Sequence, residues 1–145
     1  MNWNLASVFA FLVALDCVAW LALRGSLFGN RPISITIQIA AAILMIWARA
    51  TFGVRSFHAS ASATKGELVT SGPYRYLRHP IYAAILYFLW AGIAAHFSVR
   101  NLLVGVIASA MLALRMRAEE MLLHRAYPEY AQYAHRTARV LPFLL

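Results

Sequence analysis

Long apolar runs alternate with polar breaks along this chain, and the lengths of the runs predict its architecture. Apolar residues dominate 3–23, 33–52, 80–97 and 101–118, and a helix needs about 20 of them to cross ~30 Å of hydrocarbon. Gly25, Gly29 and Pro32 punctuate the first break, and Gly53 closes the second run. Ser98, Val99 and Arg100 leave little chain between the third and fourth runs, so these should form a tight antiparallel hairpin. Only the polar stretch 54–79, with its serines and Lys65-Gly66-Glu67, makes a long connection. Four crossings would bring this loop and both termini to one face of the membrane.

Beyond the fourth run, the polar Arg115 to Glu120 should carry the helix out of the bilayer. Leu123, Tyr127, Tyr130 and Ala134 then recur at helical spacing, and Pro128 suits the start of a second short helix. The tail 119–145 is therefore expected to form an amphipathic lid against the loop. The expected fold is all-α: a single membrane-embedded domain over 1–145 with four transmembrane helices, a cytoplasmic loop at 54–79 and a helical tail.

Composition changes this picture little. The chain is 62% hydrophobic and 12% charged, against ~50% and ~25% in soluble domains. Its net charge of +8 decides orientation instead. Arg55, Lys65, Arg75 and Arg78 lie in the loop and Arg115, Arg117, Arg125, Arg136 and Arg139 in the tail, whereas the other side has only Arg24, Arg31 and Arg100. The positive-inside rule puts loop and tail in the cytoplasm. No basic patch with interleaved aromatics stands outside the membrane flanks, so nucleic acid is not an expected partner. Cys17 is alone and cannot form an internal disulfide. The run from Trp3 lacks a basic leader and is too long for a signal-peptide core, so it is expected to be retained.

Candidate chemistry concentrates in Leu68 to Tyr82, LVTSGPYRYLRHPIY. Pro80 suits the first turn of a helix, and its ring should push His79 into an extended conformation, as Pro73 should Gly72. The free N–H groups just beyond it favour a carboxylate or phosphate on a ligand. This stretch, with Glu119-Glu120, the tyrosine-rich run after them and Leu141-Pro142-Phe143, resembles the isoprenylcysteine carboxyl methyltransferases and their phospholipid methyltransferase relatives. The resemblance runs from Leu68 to the end. The chain differs at Ala84, where the family often has Gly, and at Tyr127-Pro128, where it often has Phe-Gly.

The resemblance implies an S-adenosylmethionine-dependent methyltransferase acting on a lipophilic acceptor that enters from the bilayer. Glu119 or Glu120 would meet the cationic end of the donor, with at most one facing it directly, since adjacent residues point ~100° apart on a helix. Tyr74, Tyr82 and Tyr130 offer aromatic faces, Arg78 and His79 line the pocket, and the helix start at Pro80 takes the donor carboxylate. Individually, such tyrosines also suit an interfacial belt. Glu120, Arg136 and Arg139 are the catalytic candidates; either arginine would clamp an anionic acceptor or serve only as a membrane anchor. No metal is expected. The acceptor is a prenylcysteine-type carboxylate or, as in the phospholipid relatives, an amine. Asp16, the lone acid in a span, supports a different reading, a small proton-coupled transporter.

Overall fold

The computed structural model describes residues 3–53 and 68–141. Among them it is all-helical: α1 (Trp3–Leu23), α2 (Pro32–Phe52), α3 (Pro80–Ala95), α4 (Val99–Ala126) and α5 (Tyr130–Arg136), with a 3₁₀ turn at Gly72–Arg75. Lys65-Gly66-Glu67 and the rest of 54–67, with Pro142 and Phe143, lie outside the described residues.

Local sequence accounts for the helix boundaries. Pro32 and Pro80 open α2 and α3 where a missing N–H costs nothing. Ser98 Oγ accepts from Asn101 N at 3.1 Å and so caps α4, while Asn101 Nδ2 donates to His96 O at 2.6 Å and closes the α3–α4 hairpin. Gly72 adopts φ 56°, a left-handed conformation, rather than the extended one that the following proline favours. A Cβ there would stand 2.5 Å from Thr51 Oγ1, so the turn rests directly on the end of α2.

The helices pack in two pairs, α1 on α4 and α2 on α3. The inner seam of α1 is Ser7, Ala10, Ala14 and Cys17, small residues that allow close approach, followed by the larger Leu21. Cys17 and Leu21 join Leu89, Ile93 and Ala108 in the cluster that unites the pairs. Gln38, buried on α2, binds the α1–α2 loop to α3: its amide donates to Leu27 O and Phe88 O and accepts from Gly29 N. Gly92 lies so near this loop that a Cβ would fall 2.1 Å from Leu27 O.

Three helices, α1, α2 and α4, are long and apolar enough to cross a membrane. The helix expected over 80–97 ends at Ala95 and has 16 residues, about 24 Å at ~1.5 Å per residue, short of ~30 Å of hydrocarbon. The helix expected over 101–118 runs instead from Val99 to Ala126, 28 residues, or about 42 Å. Residues 119–126, assigned above to the tail, therefore belong to α4. The next helix begins at Tyr130, not Pro128, and has only 7 residues. Past it the chain is extended rather than helical. Leu77 and Ala138 form a parallel bridge in which Arg78 N donates to Ala138 O at 2.7 Å and Ala138 N to Tyr76 O at 3.1 Å.

Candidate functional site

The bridge explains how residues forty to sixty positions apart meet. Proline at 80 stops any helix from running back through His79, which takes φ −126° and ψ 60° rather than the extended conformation expected of it, and leaves backbone groups of Tyr76 to His79 free to pair with the segment after α5. His79 N donates to Arg139 O at 3.1 Å. With its backbone fixed, the buried His79 ring meets the last turns of α4. Its Nε2 lies 3.3 Å from Glu120 Oε1 and its Nδ1 3.7 Å from Glu119 Oε2.

Each glutamate has its own cation. Arg139 reaches Glu120 through two contacts, Nε to Oε1 at 3.2 Å and Nη2 to Oε2 at 3.0 Å, the forked geometry that only a guanidinium supplies. Arg78 Nη1 is 3.8 Å from the same carboxylate. Glu119 accepts a short hydrogen bond from Tyr82 OH and lies 3.4 Å from Arg115 Nε. Arg115 donates to Tyr82 OH at 2.6 Å and to Ser7 O and Oγ at 3.3 and 3.2 Å, so α1 also anchors the site. Phe11 covers the Arg115 guanidinium at 5.0 Å.

Aromatic residues close the periphery. Tyr130 stacks edge-on against His124 at 4.7 Å, and Tyr133 OH donates to Tyr74 O at 2.7 Å. Burial raises the Tyr74 phenol above its ordinary range, and burial together with the nearby Glu120 carboxylate does the same at Tyr130. Burial also pushes Tyr133 up to about 12, against the lowering influence of Arg78 and of its hydrogen bond with Thr137. All three stay neutral near pH 7. Two buried polar atoms have no hydrogen-bond partner among the described residues, Arg78 Nε and Tyr130 OH.

Across the bridge lies an open cleft of about 740 Å³, walled by Leu68, Thr70 and Arg75 on one side and by Glu129, Gln132, Tyr133, Arg136 and Thr137 on the other. That volume lies within the ~300–1,000 Å³ usual for small-molecule sites. Thr137 precedes Ala138, so this wall is continuous with the bridged segment that holds His79.

Several sequence expectations resolve here. Arg78, His79, Tyr82, Glu119, Glu120, Tyr130 and Arg139 are gathered into one cluster, with Pro80 buried beneath it and Tyr74 one layer out. Arg136 is apart from Arg139, on the cleft. Both glutamates meet His79, Glu119 at Nδ1 and Glu120 at Nε2. Arg115, Ser7 and the cleft residues Arg75, Glu129 and Gln132 were not singled out as site residues; the Arg115–Glu119 spacing of four was the available signal. Among the described residues no three His, Cys, Asp or Glu side chains are placed to hold a metal ion.

A histidine set between two arginine-paired carboxylates, beside a cleft at the polar end of a membrane helix bundle, defines an integral membrane protein with a polar site at one face. The chain belongs to the phospholipid methyltransferase family, whose model matches residues 30–130. That match includes His79, Glu119 and Glu120 and reaches further toward the N-terminus than the resemblance from Leu68. The chain is also similar to the cobalt-zinc-cadmium resistance protein CzcN of Cupriavidus metallidurans, 36% identical over 78 residues, 53% of this chain and 36% of that protein. A nickel-cobalt-cadmium resistance protein, NccN of Alcaligenes xylosoxydans xylosoxydans, is 33% identical over 79 residues, 54% of this chain and 37% of that protein. The matched region thus spans little more than a third of these relatives. No solved structure matches the chain.

Proposed function

We propose that this protein transfers a methyl group from S-adenosylmethionine to a lipophilic acceptor that enters from the bilayer. The observation that carries the reading is His79 held between Glu119 and Glu120, all three inside the family match. The donor's chemistry fits the residues present. Arg78 Nε and Tyr130 OH, buried without partners, suit its carboxylate and hydroxyl oxygens; Glu119 and Glu120 suit its cationic end; Tyr82 and Tyr130 offer aromatic faces. When bound, S-adenosylmethionine supplies an electrophilic methyl group on sulfur. The chain's own part is to hold the reactants collinear and dry. Arg115 and Tyr82 fix Glu119, and Arg139 fixes Glu120, so neither carboxylate has to reorganise during the reaction.

Arg75 and Arg136 on the cleft suit an anionic acceptor, a prenylcysteine-type carboxylate. Such a group is already ionised near pH 7 and needs no general base. Glu129 on the same wall favours the second reading, a phospholipid amine, which must lose a proton before it attacks. A transporter has less support: Asp16 is exposed on the outside of α1, not set between helices. In the proposed topology α3 is a fourth, short crossing, and the site faces the cytoplasm, a placement that the arginine distribution supports.

The test is to incubate membranes holding the protein with isotopically labelled donor and identify the product by mass. Label in an ester-linked methyl group supports the carboxylate reading, label on nitrogen the amine reading. Absence of donor binding by calorimetry overturns both.

A further inference from the structure

Arg78, His79 and Arg139 converge on the Glu120 carboxylate, and they are not equally placed. His79 is buried and the Arg78 side chain nearly so, whereas the Arg139 side chain is half exposed. Arg139 nevertheless holds both carboxylate oxygens, with Nε 3.2 Å from Oε1 and Nη2 3.0 Å from Oε2. Glu120 itself is buried. Of these three partners, Arg139 is the one on the solvent side of the carboxylate, and a ligand group coming to Glu120 from outside meets it first.

Charge points the same way. Glu119 and Glu120 bring two negative charges to the cluster, and Arg78, Arg115 and Arg139 bring three positive ones. A further cation added to this set meets net repulsion. Releasing one guanidinium to water removes the excess. Arg139 leaves at the lowest cost, because an exposed ion pair is weak and a buried one is not. The main chain need not move for this. His79 N donates to Arg139 O at 3.1 Å and Tyr87 OH donates to Val140 O, so the backbone is pinned at and just after residue 139 while the side chain is free to swing.

We infer that Arg139 is a specificity-determining residue: it is the resident counter-ion of Glu120 and yields that place to the ammonium group of the methyl donor. The inference rests on the methyl-transfer reading. An ammonium carries three N–H donors and can take over the hydrogen bonds that Arg139 gives, whereas a sulfonium has none to offer. A ligand must therefore carry the ammonium to displace the guanidinium. Adenosine-like molecules without one find Glu120 already neutralised. The carboxylate is held throughout, by Arg139 before the exchange and by the ammonium with His79 after it.

Competition between two cations for one carboxylate gives the inference a sign. Removing a competitor tightens binding, whereas removing a group that contacts the ligand weakens it. Calorimetry on the full chain in detergent micelles measures this. Arg139→Gln should bind S-adenosylmethionine about three- to fivefold more tightly than wild type, the scale of an exposed ion pair. A second variant keeps the charge. Lys65 is the single lysine of the chain, so in a Lys65→Arg background Arg139→Lys supplies a lone side-chain amine whose acetylation is read by peptide mass. S-adenosylmethionine should speed that acetylation about threefold or more, and 5′-methylthioadenosine, which lacks the ammonium, should leave it unchanged. Unchanged or weaker donor binding by Arg139→Gln, acetylation that the donor does not hasten, or equal hastening by both ligands would each overturn the inference and leave methyl transfer standing. A wild type that binds no donor would overturn methyl transfer, and this inference with it.

Discussion

Glu120→Gln is the sharpest probe of the cluster, because it removes a charge and almost no volume. Glu120 is 7% exposed and receives Arg139 at 3.0 Å, His79 at 3.3 Å and Arg78 at 3.8 Å. The two arginines respond differently to losing it. The Arg139 side chain is 51% exposed, so water replaces the carboxylate and the loss is about 0–1 kcal/mol. The Arg78 side chain is 10% exposed and its Nε already lacks a partner. A buried cation stripped of its counter-charge costs ~3–5 kcal/mol, and the 3.8 Å separation puts this pair at the lower end. The expected total is about 3 kcal/mol. Equilibrium unfolding in mixed micelles of rising dodecyl sulfate content measures it. Adding Arg78→Met to Glu120→Gln should recover about 1–2 kcal/mol, because the stranded charge goes with it. A Glu120→Gln protein within about 0.5 kcal/mol of wild type, the range of ordinary surface changes, would refute the reasoning and show that Arg78 is solvated.

Other outcomes follow from the same geometry. Arg139→Lys, which loses the fork on Glu120, should lower unfolding stability by about 1 kcal/mol, whereas Arg136→Lys on the cleft should leave stability unchanged and lower turnover of labelled donor about tenfold; the opposite pattern would exchange their roles. Gly92→Ala drives a Cβ against a backbone carbonyl, Leu27 O at 2.1 Å, and should cost about 2 kcal/mol or more in the same unfolding assay; a neutral result would show that the α1–α2 loop yields. In a Cys17→Ser background, an impermeant thiol reagent applied to intact cells should label Arg100→Cys but not Glu129→Cys, and labelling of Glu129→Cys from outside would reverse the proposed orientation.

What was legible in the sequence and what was not divide along a physical line. Helix starts at Pro32 and Pro80 and the turn around Ser98 are local events, set by a missing N–H or a hydroxyl three residues from an amide. They needed no knowledge of the rest of the chain. Helix ends were harder. The sequence carries the fourth helix out of the bilayer through Arg115 to Glu120 and starts the tail at 119, yet α4 continues to Ala126, with Arg115 and Glu120 buried by partners on other elements. Tertiary pairing there outweighs the hydropathy signal that marks a span boundary. The bridge between Leu77 and Ala138 joins segments sixty residues apart, and nothing in either predicts the other. It is this pairing that sets Arg139 beside Glu120.

The two glutamates carry the same lesson further. A helix does separate adjacent side chains by ~100°, and that step of the expectation stands. That expectation concerned a donor that approaches from one direction, and His79 presents a different geometry. His79 has two ring nitrogens on different edges, and the non-helical backbone before Pro80 sets the ring between Glu119 and Glu120, one nitrogen toward each. The angle that excludes a shared point contact is the angle a planar two-nitrogen ring can fill. Helical spacing therefore says how far apart two side chains point, but the shape of what lies between them decides whether both can take part.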